Sequence, residues 1–131
     1  MNIYHVTFTK HLPSILLGGI MPFQTTNWVR TGDKSRYGAG EIYAFTEQED
    51  AVRWAAKMDW QFNQEMGSGE ITILTAKRGD GWQIDDADPL TRLGSKGDWL
   101  KRMNRIPPAD ILEVAPVTPE LIREATQRQK A

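Results

Sequence analysis

Ile3-Tyr4-His5-Val6-Thr7-Phe8 sets apolar residues at 3, 4, 6 and 8 around two polar ones, His5 and Thr7. That period of two predicts a first β-strand with one apolar and one polar face. Just beyond it, Pro13-Ser14-Ile15-Leu16-Leu17 followed by Gly18-Gly19 reads as a short helix. Pro stands near the first turn, and Gly stands where the chain must leave through a left-handed conformation. The fold class turns on whether this strand-then-helix order recurs.

It does. Glu41-Ile42-Tyr43-Ala44-Phe45 predicts a second strand, and Thr46-Glu47-Gln48-Glu49 has the Thr-x-x-Glu spacing of a capping box, so a helix should begin right after it. Val52, Ala55, Ala56, Met58, Phe62 and Met66 form one apolar stripe at mixed spacings of three and four, ending near Gly67-Ser68-Gly69. Ile71, Ile73 and Leu74 predict a third strand, Arg78-Gly79-Asp80-Gly81 a turn, and Trp82 to Ile84 a short fourth strand. Pro107-Pro108 precede another strand, Ile111 to Val117, and Thr118 caps a last helix with Pro119 at its first position. Residues 21–40 carry turn formers without apolar periodicity and read as a long loop, of a length that usually serves function. The order predicts a mixed α+β fold in a single domain spanning 1–131.

Composition agrees with one domain. The chain has 131 residues, 40% hydrophobic and 25% charged, near the globular average. It has no cysteine, which excludes disulfides, thiolate metal sites and cysteine nucleophiles, and two histidines leave little for a histidine metal site. Any metal chemistry would be carboxylate chemistry. No stretch approaches the roughly 18 apolar residues of a membrane span, and Met1-Asn2-Ile3-Tyr4-His5 has neither a basic nor an apolar leader region, so a cytoplasmic protein with no membrane partner is expected. A net charge of −1 rules out a global positive field, so partner choice must come from a site. Phosphate loops of the Gly-x-x-x-x-Gly-Lys type, Gly-x-Ser-x-Gly elbows and His-Glu-x-x-His zinc motifs are absent from the sequence.

Several residues could carry chemistry. His5, alternating with Thr7, either faces a cleft or is a half-exposed surface histidine; His11 beside Lys10 reads as solvated. Tyr43 points away from Ile42 and Ala44 and toward the side of Phe45, where packing alone would account for it. Trp54 and Trp60 fall on the long helix, whereas Trp28, Trp82 and Trp99 lie near loops and would either stack on a planar ligand or roof a small core. Arg30, Lys34 and Arg36 make the long loop basic, and Arg92, Lys96, Lys101, Arg102 and Arg105 do the same for 92–105, which suits phosphate contacts or a solvated face. Asp86-Ala87-Asp88 matches an Asp-x-Asp metal motif only superficially, since aspartates before a proline are common in turns.

Three stretches, in order, resemble the ADP-ribosyltransferase superfamily, particularly its small members related to RNA 2′-phosphotransferases and to bacterial toxins that modify DNA or protein. The first is Tyr4-His5-Val6-Thr7 with Leu12-Pro13-Ser14-Ile15-Leu16 and Gly18-Gly19-Ile20-Met21-Pro22. The second is Gly40-Glu41-Ile42-Tyr43-Ala44-Phe45-Thr46 with Ala51 and Trp54-Ala55, and the third is Gly97-Asp98-Trp99-Leu100 with Ile106-Pro107-Pro108-Ala109-Asp110-Ile111, similar to that superfamily's closing strand.

The resemblance implies a split, strongly bent two-sheet core with flanking helices and NAD, as substrate, in the cleft between the sheets. It implies that His5 bonds the adenosine-side ribose, that Thr7 supports that ribose, and that Tyr43 stacks on the nicotinamide. A third-motif carboxylate, best matched by Asp98, would stabilise the positive charge that develops as nicotinamide leaves, with Glu113 and Glu70 as alternatives. Where the superfamily usually has Glu, Asp98 is one methylene shorter. Arg30 or Arg36 would touch pyrophosphate or acceptor. The physical logic is that of glycoside cleavage: negative charge near the anomeric carbon, an aromatic floor, and a remote clamp on the distal ribose; no metal is required. The implied activity is NAD-dependent mono-ADP-ribosyl transfer to a protein or nucleic-acid acceptor. The alternatives are a non-catalytic nucleotide- or partner-binding protein on the same fold, and RNA 2′-phosphate removal.

Overall fold

Ile3 and Thr7 on one side of β1 (Asn2–Phe8) are as buried as Val6 and Phe8 on the other, so this strand is covered on both faces and has no solvated polar face. The computed structural model describes residues 1–22, 42–59, 70–84 and 95–130, with the backbone alone for 125–130. Beside β1 stand β2 (Ile42–Phe45), β3 (Ile71–Lys77), β4 (Gln83–Ile84), β5 (Trp99–Arg102) and β6 (Ile111–Pro116) in one sheet of order β4-β5-β2-β1-β3-β6, each neighbouring pair antiparallel. Among the described residues three α-helices flank it: α1 (Leu12–Gly18), α2 (Gln48–Met58) and α3 (Pro119–Lys130). The α+β class expected from the element order is what the chain adopts. β5 falls on Trp99–Arg102, a segment with no local strand pattern that only the family resemblance marked.

Alternation sorts the strand side chains into two apolar clusters. On one face Val6, Phe8, Phe45, Ile71, Ile73 and Trp99 pack with Ala51, Val52, Ala55 and Met58 of α2. On the other, Ile3, Ile42, Ala44, Leu74, Ala76 and Leu100 pack with Ile15 of α1, Ile20 and Ile106. Trp99 is therefore a core residue, edge-on to Phe45 at 5.3 Å and to Trp54 at 5.5 Å, and is not free to stack on a ligand. Trp28 and Trp60 lie outside the described residues.

Chain turns follow the local chemistry. Pro13 sits in the first turn of α1, and Gly19 beyond its end has φ 89°, where a Cβ would also strike the Ile106 carbonyl. That close approach lets Ile20 and Ile106 exchange two backbone hydrogen bonds of 2.9 Å each. Thr118 caps α3 as expected, its hydroxyl accepting from the Leu121 N–H at 3.3 Å.

Two expectations are corrected. The capping box does not form: Glu47 occupies the position before α2 without a side-chain cap bond, and the Thr46 hydroxyl instead accepts from the Asp98 N–H at 2.9 Å. A tertiary partner outcompetes the local one. The two-sheet core is, among the described residues, one continuous sheet whose halves β4-β5-β2 and β1-β3-β6 meet at a single registered pair, Tyr4↔Phe45.

Candidate functional site

That narrow junction is where the site begins. β1 pairs with β3 along its whole length, from Asn2↔Lys77 to Phe8↔Ile71, but with β2 only at Tyr4↔Phe45. Beyond that pair, toward Ile42, the ladder does not continue, so main-chain groups facing the seam need other partners. His5 supplies one: its Nδ1–H donates to the Tyr43 carbonyl at 2.7 Å.

The bond settles the protonation pattern of the ring. A carbonyl only accepts, so Nδ1 carries the hydrogen and, in the neutral ring, Nε2 is left as an acceptor. Burial pushes the His5 imidazole below its ordinary value of 6.5, against the pull of the Tyr43 carbonyl, which favours the charged form. A neutral histidine with an open acceptor nitrogen suits a hydroxyl donor. Thr7, on the same side of β1, is 8% exposed, and its hydroxyl finds no partner among the described residues. The two side chains thus put an acceptor nitrogen and a hydroxyl on one face of β1.

Tyr43 is half-buried. Its alternation places it on the Phe45 face, with Lys101 opposite on β5, while His5 and Thr7 alternate with Ile3 on the other face. His5 and Tyr43 thus come together through the main chain of Tyr43, and their side chains belong to opposite faces.

Asp98 stands exposed at the head of β5, opposite Thr46. Continuing the β2–β5 register puts it on the same face as Ala44 and Leu100, hence of His5, one strand removed from β1 and roughly 10 Å across the sheet. The alternative carboxylates are elsewhere. Glu113 pairs with Thr75 on the exposed edge strand β6, in the register of Tyr4 and therefore on the other face. Glu70 precedes β3 at the far end of β1, its carbonyl accepting from Thr9 N–H at 2.8 Å. Arg30, Arg36 and the Asp86-Ala87-Asp88 motif lie outside the described residues.

The basic stretch 92–105 is, where described, largely occupied with the fold. Arg102 lies 5.5 Å over the Trp82 ring and donates to the carbonyls of Asp80, Asn104 and Arg105 at 3.0, 3.0 and 2.7 Å. Arg105 donates to the Gly18 carbonyl at 2.7 Å, and Lys96 pairs with Glu49 at 2.9 Å. The sequence leaves phosphate contacts and a solvated face both open for this stretch; for Arg102 and Arg105, carbonyls of nearby turns are the partners.

A residue that sequence reasoning passed over also belongs to the site's surroundings. Asp50, in the first turn of α2 and 3% exposed, accepts hydrogen bonds from the segment just before β5. The disguise was its position inside a capping-box helix start, where an acidic residue needs no further reason.

No family model matches the chain, and no curated protein does. Among solved structures the chain is similar to one named EcPltA, with a TM-score of 0.61 and 12% identity over 89% of this chain and 75% of that one. At such identity the likeness concerns the fold alone. No helix among the described residues is long and apolar enough to cross a membrane. The chain shares the fold of EcPltA, and what it does with that fold must be argued from the β1–β2 seam.

Proposed function

We propose that this chain is an NAD-dependent mono-ADP-ribosyltransferase acting on a protein or nucleic-acid acceptor. The observation that carries the reading is His5 at the open seam, its Nδ1–H held by the Tyr43 carbonyl, with the buried Thr7 on the same face of β1. In this reading those two groups hold the adenosine-side ribose, and binding energy spent there orients the reacting end. Asp98, on the same face, supplies negative charge near the anomeric carbon. NAD brings the ADP-ribose and a leaving group that is already cationic, so little acid catalysis is needed. Tyr43 enters this reading through the main-chain carbonyl that orients His5, its ring lying on the opposite face of the sheet. Arg30 and Arg36 remain proposed contacts to pyrophosphate or acceptor.

RNA 2′-phosphate removal would draw on free basic side chains, and the commitment of Arg102 and Arg105 to main-chain carbonyls weighs against it.

The test is incubation with adenylate-labelled NAD and candidate acceptors, with nicotinamide release followed in parallel. Label transfer that is lost in His5→Ala and Asp98→Ala is the expected result. Calorimetric NAD binding without nicotinamide release would instead make the chain a nucleotide-binding module.

A further inference from the structure

The turn in front of β5 is gripped from below by a buried charge. Asp50 Oδ2 accepts from the Ser95 hydroxyl at 2.8 Å and from the Gly97 N–H at 2.9 Å, while Oδ1 accepts from the Lys96 N–H at 2.9 Å. Ser95 Oγ in turn accepts from the Trp99 indole N–H at 2.9 Å, tying the grip to the core. The next residue, Asp98, is bonded to Thr46 from both main-chain groups, its N–H to the hydroxyl at 2.9 Å and its carbonyl from the Thr46 N–H at 3.1 Å. Gly97 lies so close to Thr46 and Glu47 that a Cβ there would collide with both. From Ser95 to Trp99, each residue has a bond fixing it to α2, to the β2–α2 junction or to its neighbour in the grip.

A buried carboxylate is costly unless its lone pairs are filled, and here three donors fill them, two of them main-chain N–H groups in charge-assisted bonds. What the carboxylate adds is direction: it fixes the main chain immediately before an exposed carboxylate. The Asp98 carboxylate therefore projects from a fixed base although the side chain itself is in water.

We infer that Asp50 is a positioning residue for the reaction, holding Asp98 at the head of β5 at the height the reacting sugar requires. This rests on the reading of Asp98 as the carboxylate that faces the anomeric carbon. The ribose clamp of His5 and Thr7 lies on another strand and does not depend on the grip.

The experiment measures kcat and KM for NAD in nicotinamide release by the wild type, Asp50→Asn, Ser95→Ala and Ser95→Thr, with the folded fraction of each checked by circular dichroism melting. Asp50→Asn keeps the shape but turns an acceptor into a donor facing donors. It should lower kcat roughly 10- to 100-fold, the cost of a small misplacement, with KM within about twofold of the wild type. Ser95→Ala should lower kcat by a smaller factor, and Ser95→Thr, which keeps the hydroxyl, should restore it. Ser95→Ala and Ser95→Thr decide the matter if Asp50→Asn does not fold. Wild-type turnover with kcat unchanged in folded Asp50→Asn, or with KM rising as kcat falls, or with Ser95→Thr no better than Ser95→Ala, overturns the positioning role and leaves the proposed activity standing. A wild type that releases no nicotinamide overturns both.

Discussion

β1 has two neighbours and treats them differently. Against β3 it is zipped from end to end, and Ile3, Leu74 and Ala76 on that ladder are wholly buried. Against β2 it is joined at Tyr4↔Phe45, and a side chain, His5, reaches across to the Tyr43 carbonyl. The closed flank supplies rigidity and the open flank supplies polar groups with unfilled bonding capacity. Ladder pairing consumes main-chain donors and acceptors, so a carbonyl such as that of Tyr43 takes a side-chain partner where the ladder stops.

The contrast can be broken by mutation. Ile73→Ala on the closed flank, on the face away from His5, should cost about 2–5 kcal/mol in urea unfolding, through lost burial and the cavity left behind, with the rate of nicotinamide release per folded molecule little changed. His5→Ala on the open flank should cost only about 1 kcal/mol, the net worth of one hydrogen bond, yet abolish most NAD-dependent labelling. Equal stability losses for the two would show that the seam is structural rather than open.

Acid should act on the open flank next. The folded His5 imidazole titrates below its ordinary 6.5, so between that value and the lowered one the unfolded chain binds more protons than the folded chain. Stability contributed by His5 is then complete above about pH 6.5 and falls as the pH drops through the window. Denaturation midpoints measured from pH 7 to pH 5 should decline, and His5→Gln should flatten the decline.

The smallest effect belongs to Lys96→Ala. The Lys96–Glu49 pair is short at 2.9 Å, but the Lys96 side chain is 61% exposed, so its loss should change stability by no more than about 0.5 kcal/mol in the same urea assay. A larger loss would mean that the turn before β5 is held by surface charge and not by Asp50.

Much of this was legible in the residues. The alternation around His5, the Pro13 start and glycine exit of α1, the β-branched run at Ile71 and the Thr118-Pro119 helix start all lie where local chemistry puts them. β5 was not, because Trp99-Leu100-Lys101-Arg102 owes its strand state to β2 and β4 on either side and not to alternation. Thr46 was misjudged for the same reason: its spacing to Glu49 is that of a cap, while its hydroxyl is bound by a residue far along the chain. Of the proposed site, His5 and Thr7 could be picked from β1 alone, whereas Asp50 could not.

By itself, then, the order of apolar periods and turn residues determined the strands other than β5, the helices, and that they assemble as an α+β fold, since those preferences act within a few residues. Only the tertiary structure decided that β1 and β2 part after one pair, that His5 fills the gap, that Arg102 and Arg105 are spent on carbonyls, and that Asp50 holds the turn before Asp98. Those outcomes depend on which hydrogen-bonding groups remain unsatisfied once the strands have paired, a competition between residues distant in the chain that no local pattern records.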